Sequence, residues 1–325
     1  MPSLPAFVEP LGHGIHVIDT GFQRPRFDAS YLVVEGGRAA FVDTGTNHAV
    51  PRLLGALGAL GLAREAVDFV IPTHVHLDHA GGAGLLMQAL PAAQLVVHPR
   101  GARHLIEPAR LMAGARAVYG DAEVERSYGE LVAVPADRVV QTRDEMTLEL
   151  AGRPLRFLDT PGHARHHHCV WDEASRGFFT GDTFGVSYEE LSTPRGRWAL
   201  LATPPVQFEP QALRASIERL LAFEPACMYL THYGRVASVA RLAALLLEEL
   251  EETVAFASGV APGPGREAKL QEGLARMHWR SLRREGSMLA LDDVRQRLAL
   301  DLELNAKGIG IWLDRRAGAA AEATA

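Results

Sequence analysis

The sequence predicts an α/β or α+β sandwich followed by a helical extension, and three observations predict it. Up to about Gly234, short β-branched runs alternate with helix-like segments. Several of those runs end on a polar residue followed by glycine or a turn. After Gly234 the composition shifts to helix formers. Strands are expected over residues 15–18, 31–34, 39–42, 69–72, 94–97, 155–158, 169–171, 177–180 and 227–230. Helices are expected over 49–60, 84–90 and 211–223, the last with Leu213, Ile217, Leu220 and Leu221 along one face. In the extension, the glycine- and proline-rich run 259–265 separates a helix over 236–257 from helices over 266–284 and 292–307. Glu248, Glu249, Glu251 and Glu252 read as the solvated face of the first of these. A helix-like insert over 100–129 either covers a site or is ordinary packing. The expected organisation is a domain over 1–235, a helical cap over 236–316 and a disordered alanine-rich tail over 317–325.

With 325 residues, 47% of them hydrophobic and 22% charged, the chain has ample material for a core and is not a disordered protein. A net charge of −6 disfavours nucleic acid as a partner, because binders of phosphate backbones carry positive fields. Cys169 and Cys227 are too few for a disulfide framework and lack zinc-knuckle spacing, so a reducing cytoplasm is the expected location. No apolar stretch approaches the roughly 20 residues of a membrane span, so no membrane partner is expected. The expected partner is a small-molecule substrate, and nothing in the sequence fixes an oligomeric state.

Of fourteen histidines, nine fall between His74 and His168. The strand tips beside them are polar: Asp43-Thr44-Gly45, Thr73-His74, Asp159-Thr160-Pro161-Gly162-His163, Gly181-Asp182-Thr183 and Thr231-His232-Tyr233-Gly234. Tips of this kind can converge on one sheet edge, where clefts form. The segment Thr73-His74-Val75-His76-Leu77-Asp78-His79-Ala80-Gly81-Gly82 offers three imidazoles and a carboxylate within six positions, a set that binds divalent first-row metals without thiolates. His163, Asp182 and His232 are the obvious suppliers of further ligands.

His-x-His-x-Asp-His at 74–79, Pro-Gly-His at 161–163, Gly-Asp-Thr at 181–183 and Thr-His at 231–232, in that order, resemble the metallo-β-lactamase superfamily of hydrolases over about residues 10 to 235. The Thr160–His163 and Thr180–Thr183 motifs look most like its glyoxalase II-like branch. The resemblance implies a four-layer αββα sandwich with two divalent metal ions at one edge of the paired sheets: zinc by default, with iron or manganese suited to the same ligands. It implies that His74, His76 and His163 hold one ion, that Asp78, His79 and His232 hold the other, that Asp182 bridges both, and that Asp43 supports a ligand. After Pro-Gly-His the branch has Thr, a small residue, Gly and His. Here Ala164-Arg165-His166-His167-His168 follows, and only His167 keeps the pattern. One of these three histidines is expected to pack beneath His163.

The implied activity is hydrolysis of a small ester-like bond, a thioester, lactone or β-lactam, by a metal-bridging hydroxide, with Asp78 and Asp182 as the catalytic carboxylates. Tyr188 and Tyr233 are candidates to hydrogen-bond a substrate carbonyl, and Phe184, Trp198 and Phe208 to line an acyl pocket. The alternatives are a mononuclear iron oxidoreductase of the persulfide dioxygenase kind, which keeps the same ligands, and a small phosphodiesterase. A di-iron flavoprotein partner is disfavoured because that branch has Glu where this chain has His76.

Overall fold

Alternation of apolar residues along the strands builds two sheets that share a buried interface. In the computed structural model, which describes residues 4–323, β1 (Val8–Gly12), β2 (Ile15–Asp19), β3 (Ala29–Glu35), β4 (Arg38–Val42), β5 (Val67–Ile71), β6 (Gln94–Val97) and β7 (Val139–Gln141) form one sheet in sequential order. The second runs β13-β12-β11-β10-β9-β8, from β8 (Thr147–Leu150), β9 (Arg153–Asp159), β10 (His168–Asp172), β11 (Gly177–Gly181), β12 (Cys227–Leu230) and β13 (Gly234–Val236). These strands lie in one of the chain's two compact units, made of Met1–Asp159, His166–Gly181 and Glu224–Ala237.

Period-two alternation decides what each face of the first sheet buries. Ile18, Leu32, Ala39 and Phe41 pack with residues of α1 (Val50–Ala59), α2 (Leu77–Ala80), α3 (Ala83–Ala89) and α4 (Pro99–Ile106). Their neighbours Val17, Tyr31, Val33, Ala40 and Val42 point the other way, onto Leu155, Phe157, Val170, Phe179 and Tyr229 of the second sheet. Strands β4 to β7 are mutually parallel, and β11 is parallel to β12, so the C-terminal ends within each set lie at one edge. The fold class is the expected one. The insert forms three helices, α4, α5 (Ala109–Tyr119) and α6 (Asp121–Ser127). Four strands went unpredicted: β1 is interrupted by Pro10 and ends on Gly12, and β7, β8 and β13 lack the continuous apolar run that marks the equally short β6 and β12.

Arg153 joins β9 to two neighbours. Its Nε and Nη2 donate to the two carboxylate oxygens of Asp172 on β10 at 2.8 and 2.6 Å, and its Nη1 donates to the His13 carbonyl in the β1–β2 turn. Asp172 also accepts from Ser175. Both side chains are almost wholly buried, with 3% and 0% exposure.

The second unit comprises Thr160–Arg165, Asp182–Phe223 and Ser238–Ala325. It contains α7 (Pro210–Leu221), α8 (Val239–Ser258), α9 (Arg266–Arg284), α10 (Leu291–Arg297) and α11 (Ala299–Ala323). It thus takes two segments from within the expected first domain. The helix expected over 292–307 divides at Leu298, and α11 then continues to Ala323; the last two residues of the expected disordered tail lie outside the described residues. The acidic run on α8 is not uniformly solvated. Glu248 and Glu252 pair with Arg284, and Arg280 reaches Glu252. Glu249 turns inward, where both its oxygens lie 3.2 Å from the Leu201 N–H and burial pushes its pKa up to about 8. Beside it, burial pulls the His278 imidazole down to about 4. Among the described residues, no helix is long and apolar enough to cross a membrane.

Two outcomes follow from these buried ionisable groups. Arg153→Met leaves Asp172 without its cation and is expected to lower unfolding free energy by about 3–5 kcal/mol in denaturant titrations. Folded Glu249 keeps its proton up to about pH 8, whereas the unfolded chain releases it near the ordinary 4.5. Wild-type stability relative to Glu249→Gln should therefore fall as pH rises through that window, and be flat below it, in paired melts at stepped pH.

Candidate metal centre

The C-terminal ends of β4, β5 and β12 each deliver a polar residue to one edge of the first unit, and a single carboxylate ties them together. Asp43 follows β4 with φ at +54°, a left-handed conformation that aspartate tolerates better than most residues. Its Oδ1 accepts from the backbone N–H of Thr73 at 2.7 Å, at the end of β5. Its Oδ2 accepts from the Thr231 hydroxyl at 2.6 Å, after β12, and sits 2.8 Å from His79 Nδ1. Asp43 and His79 are both buried. An Nδ1–H that donates to Asp43 leaves the lone pair of His79 on Nε2, which is how a carboxylate fixes a ligating imidazole.

The same device recurs at His232, whose Nδ1 lies 2.9 Å from the Phe27 carbonyl, leaving Nε2 for the site. His232 Nε2 is 3.4 Å and His79 Nε2 3.9 Å from Asp78 Oδ2. The ligand atoms of Asp78, His79 and His232 lie within 4.8 Å of one another. Beside them, His74 Nε2 and His76 Nδ1 face each other at 2.8 Å, with Thr73 Oγ1 3.2 Å from His74 Nδ1. The first unit therefore brings together His74, His76, Asp78, His79 and His232, with Asp43 hydrogen-bonded to His79. All the donor atoms are imidazole nitrogens or carboxylate oxygens, which fits a divalent first-row ion.

The histidine tract divides its work. The His167 ring stacks on His74 at 4.8 Å and 26°. A Cβ on Gly181 would collide with the Thr73 hydroxyl and His167 Nε2, so glycine at the end of β11 makes room for that stack. His166 lies edge-on to His76 at 5.6 Å. His168 points elsewhere: its Nδ1 is 3.1 Å from the Thr142 hydroxyl, it lines a cavity of about 250 Å³ with His98 and Asp159, and burial pulls its pKa down to about 3.

His163 and Asp182 belong to the second unit, where His163 Nε2 lies 3.4 Å from Asp182 Oδ2. His163 Nδ1 is 3.0 Å from the Ala202 carbonyl, the same orientation of an imidazole by a main-chain oxygen. Gly162 is required here, because its φ of +135° and its approach to the Leu213 backbone leave no room for a Cβ. Tyr188 is buried, and its hydroxyl donates to Asp301 on α11 at 3.0 Å. Phe184, Trp198 and Phe208 are fully buried core residues, Trp198 with its indole N–H on Ser281. In the first unit, Tyr233 is buried with the Arg26 guanidinium over its ring, and burial raises its pKa. Sequence reasoning missed Phe27 and Ala202, which act through carbonyls that leave no side-chain signature. It also missed Asp28, fully buried on Thr20, whose pKa burial pushes up to about 8.

The profile described as metallo-beta-lactamase superfamily matches residues 24–232. The metallo-beta-lactamase fold-containing protein ST1585 of Sulfurisphaera tokodaii is 25% identical over 234 residues, which cover 69% of this chain and 80% of that protein. A hydroxyacylglutathione hydrolase of Cupriavidus taiwanensis is 34% identical over 168 residues, half of this chain and 52% of that enzyme. The crystal structure of metallo-beta-lactamase family protein TTHA1429 of Thermus thermophilus aligns with a TM-score of 0.62 at 25% identity, covering 85% of this chain and 95% of that one.

Asp43→Asn keeps the shape but replaces an oxygen by an amide that cannot accept from all its donors. It is expected to weaken metal binding by about 10- to 100-fold while far-UV circular dichroism stays that of the wild type, as read by chelator competition.

Proposed function

The chain belongs to the metallo-β-lactamase superfamily and is a metal-dependent hydrolase, and from that premise we propose that it cleaves a small ester-like bond with two divalent ions, zinc by default. The observation that carries this is the convergence of Asp78, His79 and His232 on one edge, with the two imidazoles oriented by Asp43 and the Phe27 carbonyl. His74, His76 and His163 are assigned to one ion, Asp78, His79 and His232 to the other, and Asp182 to both; the family's motif order supports joining His163 and Asp182 to the set. When bound, such ions activate water near neutral pH and polarise a carbonyl.

The protein's own part is to hold the donors in place before substrate arrives. Asp78 directs Oδ2 toward His79 and His232, and its second oxygen is assigned to hold a proton and pass it to the leaving group. His167, stacked on His74, restrains that ring and excludes water from behind it. The carbonyls on His232 and His163 keep their Nδ1 atoms protonated, so both rings present a neutral nitrogen to a cation.

The substrate class is assigned to the glyoxalase II-like side, a thioester first and a lactone or β-lactam after it. The support is the Thr160–His163 and Thr180–Thr183 motifs together with the likeness to the hydroxyacylglutathione hydrolase. A hydrolysis panel of thioesters, lactones, β-lactams and phosphodiesters, on protein of measured metal content, tests this. Thioester turnover is expected to lead the panel, and Asp182→Ala and His76→Ala are expected to lose at least about 1,000-fold in kcat/KM together with bound metal. Turnover confined to phosphodiesters, or undiminished in both variants, would contradict the assignment.

A further inference from the structure

The C-terminal helices hold a short strap of main chain, residues 201–203, by both main-chain groups of Leu201 and by the N–H and hydroxyl of Thr203. Glu249 of α8 takes the Leu201 N–H on both carboxyl oxygens at 3.2 Å. Asn305 of α11 brackets the rest: its Nδ2 donates to the Leu201 carbonyl at 2.8 Å, and its Oδ1 accepts from the Thr203 N–H at 2.7 Å. The Thr203 hydroxyl donates to the Asn305 main-chain carbonyl at 3.3 Å. One helical turn further along α11, Gly308 lies so close to the Thr203 and Pro204 carbonyls that any Cβ would overlap them, so the strap lies directly against the helix backbone. Asn305 is 5% exposed, and its side-chain donor and acceptor both go to this strap.

The carbonyl at the middle of the strap, that of Ala202, is the oxygen that faces His163 Nδ1. We propose that Asn305 is a positioning residue for His163: by clamping Leu201 and Thr203 on either side, it fixes the Ala202 carbonyl and with it the tautomer and ring angle of that histidine. A ligand is then held in place through a helix about 140 residues further along the chain, with no contact between Asn305 and the imidazole. The clamp acts only through geometry: an amide has no charge to lend, and a bidentate bracket on two peptide groups leaves the intervening carbonyl one direction. Glu249 supplies the third tie, on the N-terminal side.

This inference rests on the assignment of His163 as a metal ligand, and the test separates the two. Zinc affinity is measured by competition with a chromophoric chelator on the full chain, and visible spectra are recorded on the cobalt-substituted protein. Melting of the metal-free form is followed in parallel. Asn305→Ala is expected to weaken one of the two zinc equivalents by about tenfold, leave the other within about twofold, and alter the cobalt d–d bands. Asn305→Asp, which keeps the acceptor for Thr203 but sets an oxygen against the Leu201 carbonyl, should give an intermediate loss of zinc and serves if the alanine variant does not fold. His163→Ala should weaken the same equivalent and more severely. If His163→Ala leaves both equivalents unchanged, the ligand assignment fails. If His163→Ala weakens one equivalent while both Asn305 variants lower the metal-free melting temperature and bind zinc and cobalt like the wild type, Asn305 is merely structural and the proposal is overturned.

Discussion

One carboxylate, that of Asp43, is where the first unit's chemistry is assembled. It accepts from the end of β5, from the residue before His232, and from His79 itself, so two stretches far apart in sequence, 73–79 and 231–232, are tied to the residue that closes β4. Burial makes each of these bonds matter: a donor that lost its acceptor here would carry the full cost of desolvation, about 1–3 kcal/mol each. The positive φ at Asp43 is tolerated because those bonds over-determine its position. The strain and the hydrogen bonds are two descriptions of one arrangement.

The same economy governs the other imidazoles. His79 is oriented by a carboxylate and His232 by the Phe27 carbonyl; in the second unit, His163 is oriented by Ala202. An imidazole rotates about two bonds and has two tautomers, so a fixed oxygen at Nδ1 removes both freedoms at once. Pre-orienting neutral nitrogens in this way reduces the ordering that metal binding must impose, which is why distant main-chain atoms belong to the chemistry.

The motifs assigned to metal chemistry stand out in the sequence because three of their histidines and a carboxylate fall within six positions and because strand tips end on glycine. Asp43 was readable for the same reason, as the residue that closes β4. What could not be read was anything acting through the main chain: the carbonyls of Phe27 and Ala202 would be there whatever the side chains. Glu249 looked like part of a solvated acidic stripe, since it lies in a run with exposed Glu248 and Glu251 and half-buried Glu252; only the tertiary demand of the Leu201 N–H turns it inward. Asn305 carried no signal, being an ordinary polar residue in a helix-forming stretch. Nor did the sequence reveal that 160–165 and 182–223 associate with the C-terminal helices, because contact partners are not a local property. Strands without a continuous apolar run escaped, while α8 and α9 were placed to within a few residues.

X-ray absorption at the zinc edge of reconstituted protein tests the central claim most directly. The account predicts two equivalents per chain in a nitrogen and oxygen shell at about 2.0–2.1 Å with imidazole multiple scattering, and a metal–metal vector at about 3.5 Å. A sulfur shell at about 2.3 Å, or a single equivalent with no metal–metal vector, would contradict it.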